Sequence, residues 1–139
     1  MEQAVGDESL KREGQLQMNK SIEPVDINQK LQLFSEYWHP KIVGELNESY
    51  VKVVKLKGEF VWHQHENEDE MFWVINGTLV IKLRDKDITV QAGQFLIIPR
   101  GVEHLPVATE EVQVVLLEPK TTLNTGDVQN DRTVEAEWI

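Results

Sequence analysis

The 139-residue chain has no cysteine, which excludes disulfides, thiolate metal ligands and a catalytic thiol. Any bound metal must therefore be held by nitrogen and oxygen. Positive charge is scarce too, with 14 Lys and Arg against 24 Asp and Glu and a formal net charge of −10. The cations are scattered, so no basic patch is available to displace counterions from nucleic acid or to meet an anionic membrane. Long apolar runs are also missing: the longest, Met71 to Ile75, falls far short of the roughly 20 residues of a spanning helix. Met1 to Lys20 lacks the apolar stretch of a secretory signal, so the expected location is cytoplasmic. What remains is length enough for one domain with a real core.

Three stretches differ in pattern. Residues 1–20 have little apolar content and no periodicity, which predicts a disordered or loosely docked arm. Residues 21–120 carry the domain. Near its start, Asp26 followed by Gln29 resembles a capping box, and Ile27, Leu31, Phe34 and Trp38 recur at helical spacing up to His39-Pro40. This predicts one amphipathic N-terminal helix. From Tyr50 to Glu118 the period becomes two. Strands are predicted at 50–56, 60–65, 70–75, 78–84, 87–90, 94–98, 104–107 and 112–118, a pattern that suggests an all-β sandwich or barrel. Asn76-Gly77 is the strongest hairpin signal, because both residues tolerate positive φ. Residues 121–139 lose the alternation and predict a covering strand or extended arm, with Trp138 as an anchor.

The chemistry concentrates in a few residues. His63 and His65 are two apart, so in a strand both imidazoles point to one face and can converge on one ion. Glu70 opens the apolar run Met71 to Ile75, where an unpaired carboxylate would be costly. Two imidazoles and a carboxylate form a facial set that leaves coordination positions open on Fe(II) or Mn(II), and His104 can add a third nitrogen.

The spacing of these residues resembles the two signatures of the cupin superfamily. The first is Gly58-Glu59-Phe60-Val61-Trp62-His63-Gln64-His65, then Glu70 and Gly77; the second is Gly93, Pro99-Arg100-Gly101 and His104. Two positions depart from the family pattern. Four residues rather than five separate Gly58 from His63, and Ala108 stands where Asn is frequent. The resemblance is to small single-domain cupins of the mannose-6-phosphate isomerase-like kind. It implies a jelly-roll β-barrel, with His63, His65, Glu70 and His104 as ligands of a divalent metal ion such as Fe, Mn, Ni or Zn.

That ligand set implies a metalloenzyme acting on a small oxygenated metabolite, either a dioxygenase or an isomerase/lyase. The alternative is a non-catalytic module that binds or senses a small molecule. Tyr50 and Glu59 are candidate acid/base residues, although no spacing compels the role. A phosphorylated substrate would need a cation near the motifs, where only Arg100 qualifies, with Lys82 and Arg84 aimed either inward or to solvent. Counting by twos, Val61 shares a face with His63 and His65, and Phe72 and Val74 share one with Glu70. Trp62, Gln64 and Trp73 then face outward, on a surface to be covered by the helix, the tail or a second copy of the chain. A homodimer is the expectation.

Overall fold

The computed structural model describes residues 22–139, and the arm expected at 1–20 lies outside the described residues. The described residues form an all-β jelly roll with one short helix, α1 (Ile27–Leu31). Asp26 caps α1, its Oδ1 accepting from Gln29 N at 3.1 Å. The helix stops well before the expected Trp38. A continued helix would join the Trp38 N–H to the Phe34 carbonyl, but both groups are taken by Lys55. The Phe34 carbonyl accepts from Lys55 Nζ at 2.7 Å, and Trp38 N donates to the Lys55 carbonyl at 2.9 Å. Trp38 adopts φ 65 and buries its ring against Phe60, with centroids 4.7 Å apart.

Eight strands follow: β1 (Lys41–Leu46), β2 (Ser49–Glu59), β3 (Glu70–Asn76), β4 (Thr78–Lys82), β5 (Asp87–Gln91), β6 (Phe95–Ile98), β7 (Leu105–Pro119) and β8 (Glu137–Trp138). The expected tail strand is β8, which pairs parallel with β1. β1 itself has no clear period of two and lies outside the predicted strands. β7 replaces the two strands predicted at 104–107 and 112–118. It runs unbroken through the exposed segment Thr109 to Glu111.

β7 organises the barrel. One of its edges pairs with β2 from Ser49↔Pro119 to Glu59↔Val107. Its other edge is divided: β3 takes residues 113–117 and β4 takes 105–107. β3 continues to β6, and β4 continues to β5. Asn76-Gly77 therefore does not close the hairpin its sequence suggests, because β3 and β4 pair with β7 and not with each other. The predicted positive φ is present, at 94° for Gly77. It serves a passage from one wall to the other at close range, where a Cβ would lie 2.9 Å from the Glu111 carbonyl oxygen.

Alternation along the strands builds two apolar layers. Val54, Leu56, Phe72, Val74, Leu79, Ile81, Val112, Val114 and Leu116 fill the barrel interior. On the outside of β1, β2 and β7, Val43, Val53 and Val115 pack with Leu31 of α1. The two positions that depart from the cupin pattern, Gly58 and Ala108, face each other across β2 and β7 beside a bulge. Among the described residues no helix is long and apolar enough to cross a membrane.

Gly77→Ala adds both left-handed strain and a clash with the β7 backbone. It should destabilise the fold by about 2 kcal/mol or more, lowering Tm by several degrees in a thermal melt followed by circular dichroism. An unchanged Tm would contradict the close passage against Glu111.

Candidate metal centre

His63 and His65 lie where a strand was predicted from Phe60 to His65. Only one bridge of that strand exists. His63 and His104 exchange both backbone hydrogen bonds, at 3.1 and 2.9 Å. Gln64, between the two histidines, is bound elsewhere: its N–H donates to Asp127 Oδ1 and its carbonyl accepts from Asp127 N, each at 3.0 Å. Gly126 packs so tightly here that any Cβ would overlap the Gln64 carbonyl. The C-terminal tail thus takes the place of a neighbouring strand and clamps the segment carrying both histidines.

Glu70 is the first residue of β3, opposite Ile98 and on the inward face with Phe72 and Val74. His104 directly precedes β7. One donor atom from each of His63, His65, Glu70 and His104 lies within 4.8 Å of all the others. All four residues are buried. The Nδ1 atoms of His63 and His104 contact the carbonyls of Val61 and Val102 at 2.8 and 2.9 Å. In a neutral ring each bond fixes the proton on Nδ1 and leaves an Nε2 lone pair for another partner.

The cluster does not satisfy itself. Glu70 Oε1 approaches His65 Nε2 at 3.2 Å and His104 Nε2 at 3.4 Å. None of these three buried atoms makes an aligned hydrogen bond, and His65 Nδ1 has no partner. Orphaned polar atoms in an apolar barrel are costly. One divalent ion among them would supply the missing interaction, and the donor set suits it.

Electrostatics prepares the same donors. Burial, reinforced by the charge of His104, pushes His63 down to about 4. Burial works against ionised Glu70, yet its contacts with His104 and His65 hold it well below the usual carboxylate range. Burial also lowers His65, but the Glu70 carboxylate more than offsets this and raises it. A neutral imidazole and an ionised carboxylate are the forms that bind metal.

A narrow cavity of about 40 Å³ adjoins His63 and Glu70, walled by Trp38, Phe60, Phe72 and Leu116. It also touches Glu118, the last residue of the strand predicted at 112–118. Glu118 is buried, and its Oε2 accepts from the equally buried Lys52 Nζ at 2.6 Å. Burial and the neighbouring Glu70 carboxylate push Glu118 well above the usual range, while Lys52 pulls the other way. The alternation held the signal. Lys52 shares its face with Val54 and Leu56, and Glu118 shares its face with Leu116 and Val114, so both charges point inward.

The other sequence candidates lie elsewhere. Tyr50 lines a separate cavity with Lys120 and Trp138, and the exposed Glu59 gives its carbonyl to Arg132 at 2.9 Å. Arg100 is exposed and folds back on Asp69. Arg84 stacks on Trp62, 3.8 Å from the ring centroid, and pairs with Glu103. Trp62 is therefore partly buried against the interior cluster and does not share an outer surface with Trp73.

A family model described as Cupin domain matches residues 50–120. Among solved structures, a cupin-2 domain containing protein from Shewanella frigidimarina is 47% identical, with a TM-score of 0.68 over 68% of this chain and 93% of that one. A protein from Neisseria meningitidis is 28% identical, with a TM-score of 0.65 over 70% of this chain and 99% of that one. An uncharacterised protein of Bacillus subtilis is 38% identical over 63 residues, 45% of this chain; the match spans 56% of that relative's length.

The lowered His63 has a measurable consequence in the metal-free protein. Between pH 6.5 and about 4 the unfolded chain binds a proton that the folded site refuses. The stability contributed by His63 therefore falls as pH falls through that window, by up to about 3 kcal/mol, and is zero above it. His65, shifted upward, works in the opposite sense. Urea unfolding at pH 7 and pH 5 should show a smaller loss on acidification in His63→Gln than in the wild type. An equal or larger loss in the variant would contradict the assignment.

Proposed function

The chain belongs to the cupin domain family, and from that membership we propose that it is a divalent-metal-dependent enzyme acting on a small oxygenated metabolite. The observation that carries this reading is the unsatisfied buried quartet of His63, His65, Glu70 and His104, whose donor atoms lie within 4.8 Å of one another. When bound, a divalent ion would act as a Lewis acid on a carbonyl or hydroxyl oxygen, or as Fe(II) would support dioxygen chemistry. Three neutral imidazoles and one carboxylate leave that ion with a formal charge of about +1, which favours electron-rich oxygen ligands.

The residues of the chain have separable tasks. The carbonyls of Val61 and Val102 fix the tautomer and direction of two rings. Asp127 and Gly126 hold the backbone between His63 and His65. Trp38, Phe60 and Phe72 exclude water from the cavity, which strengthens every charge interaction within it. The dioxygenase and isomerase/lyase readings share all of this and differ in whether oxygen is consumed.

Purified protein should carry, or take up, about one divalent ion per chain by elemental analysis. His65→Ala and Glu70→Gln should each lower metal affinity at least about tenfold and leave the circular dichroism spectrum largely intact. Equal occupancy in both variants would refute the ligand assignment. Oxygen uptake by the iron-loaded protein with a panel of hydroxyketones would mark a dioxygenase, and conversion without uptake would mark an isomerase or lyase.

A homodimer is part of the proposal. α1 covers the outer face of β1, β2 and β7, leaving Trp73, Phe95 and Ile97 exposed on β3 and β6. Among the described residues β6 pairs only with β3, so there an open strand edge and an apolar face coincide, and a second copy would cover both. Light scattering should give twice the chain mass for the wild type and a monomer for Ile97→Asp. A monomeric wild type would refute the dimer.

A further inference from the structure

We infer that the metal centre takes a ligand with a carboxylate at its far end, and that Arg132, supplied by the C-terminal tail, is the residue that binds this carboxylate. The inference rests on the metal-centre reading above and adds the ligand class to it. Its own evidence is a guanidinium that the fold positions and leaves unpaired. Of the described arginines, Arg84 pairs with Glu103 and Arg100 with Asp69. Arg132 has no carboxylate partner among the described residues, although the chain carries 24 Asp and Glu. Both ends of the residue are nonetheless fixed. Its N–H donates to Asn130 Oδ1 at 2.8 Å and its carbonyl accepts from Asn124 Nδ2 at 2.9 Å. Nη1 donates to the Glu59 carbonyl at 2.9 Å, and the guanidinium carbon lies 5.2 Å from the Phe60 ring centroid and 5.7 Å from that of Trp38. Nε and Nη2 keep their donors for another partner, in the planar fork that matches a carboxylate.

The place of this cation gives it a role. Trp38, Phe60 and Asn124, the three residues that hold or flank it, all line the cavity beside His63 and Glu70. The Phe60 ring also meets the His63 ring edge-on, with centroids 5.5 Å apart. One aromatic ring thus separates the guanidinium from a metal ligand. A ligand that sets an oxygen on the ion and runs along Phe60 brings its far end to Arg132. Charge narrows what that end can be. No Lys or Arg lines the cavity itself, so Arg132 balances one negative charge, and a phosphate dianion would lack its second cation. An ammonium would be repelled, and a neutral end would leave the fork unpaired. A single carboxylate meets none of these penalties.

The test uses the full chain loaded with Co(II), whose visible absorption reports ligands entering its coordination shell. Malate, 2-hydroxyglutarate and 2-hydroxyadipate share one chelating end and carry a second carboxylate at increasing distance from it. 2-Hydroxybutanoate, 2-hydroxypentanoate and 2-hydroxyhexanoate end in a methyl group instead. At one of these lengths or more, the wild type should bind the diacid at least about tenfold more tightly than the monoacid. In Arg132→Gln that preference should fall below about threefold, with cobalt content and monoacid affinity unchanged. If the preference survives in Arg132→Gln, the second carboxylate is bound by the ion or by another residue, and the proposal fails. It fails equally if monoacid and diacid affinities drop together, because Arg132 then only braces the tail. Arg132→Lys keeps a charge beside the two rings but loses the fork, and should hold an intermediate preference. Should Arg132→Gln loosen the tail, the lysine variant must still weaken the diacid and spare the monoacid. A cobalt-loaded wild type with no preference at any length refutes the carboxylate site and leaves the metal centre standing. A wild type that takes up no cobalt overturns the metal-centre reading itself, and the ligand class with it.

Discussion

The pair of backbone hydrogen bonds between His63 and His104 is the contact on which the site depends. It joins a loop that has left β2 to the residue that leads into β7, with no regular strand on the loop side. Antiparallel pairing sets two imidazoles side by side, 4.3 Å between ring centroids. His65 follows from the same segment and Glu70 from the next strand. Because β7 continues from His104 as the shared edge of both walls, the geometry of the cluster is fixed by the fold's longest element. Motion at the site must therefore work against the barrel as a whole.

Around that contact the barrel accepts an uncommon concentration of buried charge. Glu70, Glu118 and Lys52 lie inside a barrel whose core is mainly Val, Leu, Ile and Phe. A buried carboxylate persists only with partners. Lys52 serves Glu118; the histidines only partly serve Glu70, which is why the quartet reads as a receptor for a cation. The same accounting separates the acids of this strongly acidic chain. Among the described residues most are exposed and act on solubility, whereas Glu70 and Glu118 face the barrel interior.

The site was more legible in the sequence than the path of the chain. His63, His65, Glu70 and His104 could be named together because they fall on the two cupin-like signatures, and the fold brings one donor atom of each within 4.8 Å of the others. Helix length is less legible, since Phe34 and Trp38 keep helical spacing while Lys55 captures the backbone groups that would have extended the turn. Asn76-Gly77 shows the limit of local turn signals: the positive φ follows from the residues, but the partner strand is chosen by β7. Glu118 was passed over because a carboxylate at the end of an apolar alternation looks like a strand terminus until its partner Lys52 is seen. The tail's role was invisible for a similar reason. Asp127 and Gly126 matter through the Gln64 backbone, which leaves no side-chain pattern to read.

The account stands on one ion being held by three imidazoles and one carboxylate. X-ray absorption fine structure of the metal-loaded protein tests this directly. The account predicts a first shell of nitrogen and oxygen at about 2.0–2.2 Å, with the outer-shell scattering of three imidazole rings. A shell of oxygen alone, without imidazole scattering, would place the ion elsewhere and contradict the account.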